Sequence, residues 1–222
     1  MRLNGSVQRD PEKPVRLHSD RIVVDDHEAA LKKKIYLMMN KPRGLVTTAS
    51  DEKGRETVYS VLASTGESLP WVAPVGRLDK ASEGLLLLTN DSEWGAHVAA
   101  PETHLQKTYH VQIATIASDS LIAAMLKGVS INCEILTVKE CRLLRSGEKN
   151  CWLEIVLDKG KNRQIRRMLA SVGVEVLRLL RVSIGPLQLG TLAKGTYRRL
   201  SAEEKLAMDR AMKRRSSPVH WR

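Results

Sequence analysis

Three kinds of side chain in this sequence have the type and spacing to act on a polyanion. The first is a carboxylate. The stretch Val75-Gly76-Arg77-Leu78-Asp79-Lys80-Ala81-Ser82-Glu83-Gly84 holds Asp79 in a turn bracketed by two glycines, with Arg77 and Lys80 on either side. Neighbouring cations favour the ionised carboxylate, and a loop held by a rigid scaffold is where catalytic side chains often sit. The same residues also make an ordinary ion-paired surface turn, and the stretch taken alone favours that plainer reading. The second is a guanidinium cluster in Lys159-Gly160-Lys161-Asn162-Arg163-Gln164-Ile165-Arg166-Arg167-Met168-Leu169. On a helix Ile165, Met168, Leu169 and Val172 share one face at i, i+3, i+4, i+7 spacing, which puts Arg163, Arg166 and Arg167 on the other. A solvated basic face is one reading. Three crowded arginines repel unless an anion lies among them, and a phosphate or a buried carboxylate such as Asp79 would supply it. The third is Tyr109, one of four Tyr and four Trp in a chain without Phe, beside His110 and close to Lys107. Core packing accounts for it, and so does a stacking platform for a nucleobase with Lys107 near a phosphate.

Other chemistries lack their residues. His18, His27, His97, His104, His110 and His220 are scattered and form no HExxH or HxH pair, so no metal site is expected. There is no Gly-x-Ser-x-Gly elbow, no phosphate-binding P-loop and no GxGxxG fingerprint. Paired-carboxylate catalysis would join Asp79 to Glu83 or Asp91, and nothing in the pattern singles out such a pair.

The elements that must position these groups read as α+β with a largely antiparallel sheet, because strands outnumber helices without alternating with them. Leu85-Leu86-Leu87-Leu88 is short and closed by Thr-Asn-Asp, which predicts a buried strand behind the Asp79 turn. Lys34–Asn40 predicts a strand ended by Lys41-Pro42-Arg43-Gly44, and Leu45–Thr48 a second strand-like piece. Val58–Leu62 suggests a short helix. Further strands are expected over 105–113, 134–144, 151–157, 176–183 and 187–189, with 134–144 and 151–157 as a hairpin. Helices are expected over 92–100, 118–127, 162–172 and 201–213, several with a Ser or Asp cap and a closing Gly or Pro. The polar residues 1–33 are too sparse in apolar side chains to hold a core and read as an arm with one short strand over 20–26. One main domain is expected over 34–205, followed by a helix end and basic tail over 206–222.

Charge narrows the partner. Lys and Arg number 36 against 25 Asp and Glu, a formal charge of +11, which favours nucleic acid first and an acidic membrane surface second. Cys133, Cys141 and Cys151 have neither metal-ligand spacing nor a CxxC pair and fit a reduced, cytoplasmic setting. No apolar run approaches the roughly 20 residues of a membrane span.

Five motifs in order then resemble one family. They are Leu37-Met38-Met39-Asn40-Lys41-Pro42-Arg43-Gly44; Gly76-Arg77-Leu78-Asp79 running through Ser82-Glu83-Gly84 to Asp91; Lys107-Thr108-Tyr109; Gly160 to Met168; and Gly195-Thr196-Tyr197-Arg198-Arg199-Leu200. Their order and spacing over about 34–202 resemble the bacterial ribosomal pseudouridine synthases of the small-subunit type, including relatives that modify 23S rRNA. The resemblance implies an α+β fold with a mixed, mainly antiparallel sheet and an RNA-binding cleft, working as a monomer without metal or organic cofactor. It implies Asp79 as nucleophile, Tyr109 stacked on the target base and Arg166 paired with Asp79. Arg77, Lys80, Lys107, Lys161, Asn162, Arg163, Gln164 and Arg167 are then the expected RNA-binding set. The substrate would be ribosomal RNA, 23S ahead of 16S, or an assembly intermediate. Many relatives begin with an RNA-binding domain of the S4 type, and residues 1–33 resemble its back half, either shortened or missing its start. Two rivals are a non-catalytic RNA-binding or assembly factor on the same fold, opposed by the joint presence of Asp79, Tyr109 and Arg166, and a metal-dependent nuclease, whose cleavage a chelator would stop.

Overall fold

The computed structural model describes residues 1–10, 12–16, 20–28 and 33–213. The chain forms two compact units, Met1–Lys34 and Ile35–Arg222. The smaller unit is a four-stranded antiparallel sheet of β1 (Arg2–Leu3), β2 (Ser6–Val7), β3 (Ile22–Val24) and β4 (His27–Glu28), in the order β2-β1-β3-β4. Asn4 and Gly5 turn β1 into β2 with φ of 51° and 86°, the conformation that favours Asn-Gly in two-residue hairpins. The sequence showed one strand here. Strand pairing supplies the others, with little apolar content to announce them.

The larger unit is built on a nine-stranded sheet. Its strands are β5 (Tyr36–Lys41), β6 (Ala73–Val75), β7 (Glu83–Thr89), β8 (Lys107–Ile113), β11 (Glu140–Ser146), β12 (Cys151–Leu157), β13 (Val176–Ile184), β14 (Leu187–Gln188) and β15 (Tyr197–Arg199). The order β11-β12-β8-β13-β7-β5-β15 carries β14 on β13 and β6 on β7, and only β7 and β13 run parallel. The helices are α1 (Tyr59–Ala63), α2 (Ser92–Ala99), α3 (Asp119–Lys127), α4 (Gln164–Ser171) and α5 (Ala202–Lys213). A separate hairpin joins β9 (Val129–Ile131) to β10 (Glu134–Leu136).

All seven residues of β7 are buried. A central strand covered on both faces needs no polar alternation, and its period of two instead divides the leucines between two cores. Leu86 and Leu88 join Leu37, Met39 and the inner faces of α1, α3 and α4. Leu85 and Leu87 join Met38, Trp94 and Val98 of α2, and Met208 and Met212 of α5. Asp91 caps α2 by accepting from the Trp94 amide, and Ser118 caps α3 through Leu121.

Three sequence expectations are corrected. Leu45–Thr48 is not a strand. Val46 makes one isolated bridge to Thr57, and Thr47 is diverted to a side-chain contact with the Asp79 turn. Residues 134–144 are two strands rather than one, because Asn132 and Cys133, at φ of 51° and 62°, fold β10 back on β9 before β11 begins at Glu140. Helix α4 starts at Gln164 rather than 162, because Arg163 takes a left-handed conformation at φ 47°. The expected basic tail lies, from Arg214 on, outside the described residues.

Candidate active site

The turn ahead of β7 is held by its main chain. Leu78 offers both peptide groups to one hydroxyl: Thr47 Oγ1 donates to its carbonyl at 2.8 Å and accepts from its amide at 3.3 Å. The Asp79 carbonyl accepts from Lys41 Nζ at 3.2 Å and from the Ser82 amide at 2.9 Å. The Lys80 carbonyl accepts from the Gly44 amide at 2.8 Å. Arg166 Nη2 donates to the Ala81 carbonyl at 3.0 Å, and Lys41 Nζ to that of Ser82 at 2.9 Å. Every carbonyl from Leu78 to Ser82 is therefore occupied by a donor, most of them from other segments. The half-buried Asp79 carboxylate, by contrast, has no hydrogen bond or ion pair to any described residue. A fixed main chain with a free reactive head is the preorganised arrangement that covalent catalysis uses.

Lys41 is the site residue that the sequence motif carried without a role. It ends β5 fully buried, at 0% exposure. Its ammonium spends its three protons on the carbonyls of Pro42, Asp79 and Ser82. Burial pulls its pKa down to about 8, with the charges of Asp79 and Glu83 partly restoring it and Lys194 opposing. A lysine at the end of a run of buried strand residues was the signal available, since lysine is almost never fully buried without partners.

Tyr109 on β8 is buried, 8% exposed, within the core that also holds Leu78 and Leu45. Arg166 does not take the outward helical face that periodicity assigned. It is half-buried, and its Nη1 donates to Val176 at 3.2 Å while Nη2 holds Ala81. The implied pairing with Asp79 is not a direct ion pair here; the guanidinium grips the turn two residues further on. The two charges still interact. Burial and the nearby Arg163 and Arg43 lower the Arg166 pKa, and Asp79 raises it.

The expected RNA-binding set divides. Arg77, Lys80, Asn162 and Arg163 are exposed. Lys161 and Arg167 are both engaged with Glu134, at 2.8 and 3.1 Å. Lys107 donates to the Leu105 carbonyl and is partly buried. Gln164 differs from these. It is buried, its amide donates to the Thr137 carbonyl at 2.7 Å and its oxygen accepts from the Lys161 amide at 3.1 Å, so both ends brace the start of α4. Glu83 lies beyond the turn. It opens β7, buried, with Arg178 at 3.1 Å and Lys194 at 2.6 Å on its two oxygens. Burial raises its pKa, but the two cations prevail and hold it below the usual carboxylate range. Among the described residues no three of His, Cys, Asp and Glu gather as a metal site, and no helix is long and apolar enough to cross a membrane.

With this geometry in place, comparison with known proteins is direct. A family model described as RNA pseudouridylate synthase matches residues 35–171. The chain is 39% identical over 161 residues to an uncharacterized RNA pseudouridine synthase of Rickettsia conorii, covering 72% of this chain and 68% of that one. It is 31% identical over 188 residues to the ribosomal large subunit pseudouridine synthase B of Bacillus subtilis, covering 84% and 76%. A crystal structure of a pseudouridylate synthase aligns with a TM-score of 0.67 at 28% identity, covering 93% of this chain and 87% of the other. The Nop10–Cbf5 complex of an archaeal box H/ACA particle, at 17% identity and a TM-score of 0.51, shares the fold over 72% of this chain and 51% of its own. The chain belongs to the RNA pseudouridine synthases, the isomerases that convert uridine in RNA to pseudouridine.

Proposed function

We propose that this chain isomerises one uridine of ribosomal RNA, in the 23S molecule, with Asp79 as the nucleophile. The observation that carries this reading is the contrast within the turn: five successive carbonyls are held while the Asp79 carboxylate makes no hydrogen bond or ion pair to any described residue. The printed name of the Bacillus subtilis relative supports the large-subunit substrate. The exposed Arg77, Lys80 and Arg163 are the phosphate contacts, and the sheet of Met1–Lys34 is a second, S4-like RNA contact.

The target uridine first leaves its stack, at a cost of a few kcal/mol. Phosphate contacts offset that cost, and the ring of Tyr109 receives the base. The Asp79 carboxylate then attacks, at uracil C6 or ribose C1′, and the N1–C1′ bond breaks. The base turns while held, the C5–C1′ bond forms, the bond to Asp79 breaks and returns the free carboxylate, C5 gives up its proton and N1 gains one. Substrate and product have the same atoms, so the balance needs no oxidant or second substrate. Arg166 acts on the carboxylate across the turn, from its place on the Ala81 carbonyl.

The test is Asp79→Asn with ribosomal RNA from cells lacking the gene. Pseudouridine formation is expected to fall at least about a thousandfold, as when a covalent nucleophile is removed. A variant that still forms pseudouridine at the normal rate rules Asp79 out. Mapping pseudouridines in both ribosomal RNAs, with and without the gene, tests the 23S assignment.

A further inference from the structure

Arg181 is a buried cation that none of the foregoing uses. On β13 it lies directly opposite Tyr109 of β8, and on its other side it pairs with Gly84 of β7. Directly opposed residues share a sheet face, with Cβ atoms about 5 Å apart. Arg181 therefore stands between the strand bearing the site tyrosine and the strand into which the Asp79 turn runs. It is 4% exposed. Nε donates to the Leu85 carbonyl at 2.8 Å, whereas Nη2 is buried without an acceptor. No carboxylate among the described residues forms an ion pair with it. Its charged neighbour is Lys107, another cation, whose pKa is lowered first by burial and then by Arg181.

A buried guanidinium donor left without an acceptor is costly, because the water it gave up is not replaced. The fold has nevertheless made room for it. Gly84 sits at φ 101°, and a Cβ there would meet the Arg181 carbonyl at 2.3 Å, so glycine is what lets β7 approach β13 closely enough for the Leu85 contact. The exposed arginines and lysines are open to phosphate, whereas a donor this deeply buried suits a carbonyl of a flat, neutral base better than a hydrated phosphate. Tyr109, directly opposite Arg181, is the aromatic face on which such a base would lie.

Building on the isomerase reading above, we propose that Arg181 Nη2 donates to a carbonyl oxygen of the target uracil, O2 or O4, as the base stacks on Tyr109. Arg181 is then a base-recognition residue, and the acceptor that its guanidinium lacks is supplied by the substrate. If the oxygen is O4, the contact also discriminates against cytosine, which presents an amino donor there.

The experiment uses an RNA fragment that the wild-type protein converts, with uridine, 2-thiouridine or 4-thiouridine at the target. Single-turnover rate at saturating RNA and thermal stability are measured for wild type and Arg181→Met. The variant is expected to lose about ten- to a hundredfold in rate, the worth of one charge-assisted hydrogen bond. Its melting temperature should be unchanged or higher, since an unpaired buried charge is removed. One of the two thio substitutions should slow the wild type and leave Arg181→Met no slower than it is with uridine, and which one identifies the oxygen. Normal turnover by a folded Arg181→Met overturns the assignment. So do equal thio penalties in both proteins. Should the variant not fold, wild type that converts both thio substrates as fast as uridine overturns it alone. A wild type that converts no uridine removes the isomerase reading and this one together, whereas an active wild type with an indifferent variant removes only this one.

Discussion

Asp79 and Glu83 are carboxylates four residues apart on one segment, and they are handled in opposite ways. Glu83 opens β7 buried, with Arg178 and Lys194 on its two oxygens. Asp79 stands on the turn before it, and its main chain is gripped while its carboxylate makes no hydrogen bond or ion pair to any described residue. A buried carboxylate that is fully paired is committed to the fold. One that is held by its backbone alone keeps its charge available. The difference separates stability from chemistry within a few residues, and substitutions at each side should separate them too.

The largest effect after Asp79 itself is expected at Lys41, which links the two halves of this contrast. Lys41→Met removes two hydrogen bonds from the turn, those to Asp79 and Ser82, and turnover should fall about a hundredfold, in the range that misplacing a reacting group costs. RNA affinity should change little. A Lys41→Met enzyme with normal turnover would show that the turn holds its shape without the ammonium.

Next is pH. With a folded pKa of about 8 against 10.5 for the free side chain, Lys41 binds its proton less tightly in the folded state than in the unfolded one. Its contribution to stability therefore grows as pH rises from about 8 towards 10.5. The neutral amine has one donor fewer for the three carbonyls, so activity should decline over the same range as stability improves. A pH–rate profile with no alkaline limb near 8, or one retained in Lys41→Met, would break the link between this proton and the turn.

Glu83→Gln should act on folding rather than chemistry. Two cations lose their shared anion, and an unfolding free energy lower by about 2 kcal/mol is expected, with turnover per folded molecule near normal. The effect is kept below that of a wholly buried pair because Arg178 and Lys194 are partly exposed. Denaturant melts beside single-turnover rates distinguish this from a catalytic role. The smallest change is expected at Arg163→Ala, where the loss of one phosphate contact should weaken RNA binding and reduce the slope of log affinity against log salt by about 1. An equal loss from Arg167→Ala would show that its bond to Glu134 does not hold it away from RNA.

Much of this was legible in the chain itself. The buried run Leu85–Leu88, a Ser or Asp cap on α2 and α3, and the order of five motifs all follow from local rules: period, turn chemistry and capping depend on near neighbours in sequence. The same rules placed Asp79 on a glycine-bracketed turn ahead of a core strand. They misplaced Arg166, because helical periodicity assigns a face without knowing what lies against it. Ala81, which engages that side chain, is 85 residues away in sequence. They also gave Lys41 no role, since its acceptors on Asp79 and Ser82 come from a segment about 40 residues downstream.

The sequence by itself determined which groups are present, the strand and helix alphabet, and the turn on which the carboxylate stands. Only the tertiary structure decided which carboxylate is paired and which is free, which cations hold backbone and which face solvent, and that Arg181 lies beneath the site beside Tyr109. The physical reason is that charge pairing and burial are fixed by contacts between strands distant in sequence, and those contacts exist only once the sheet has closed its register.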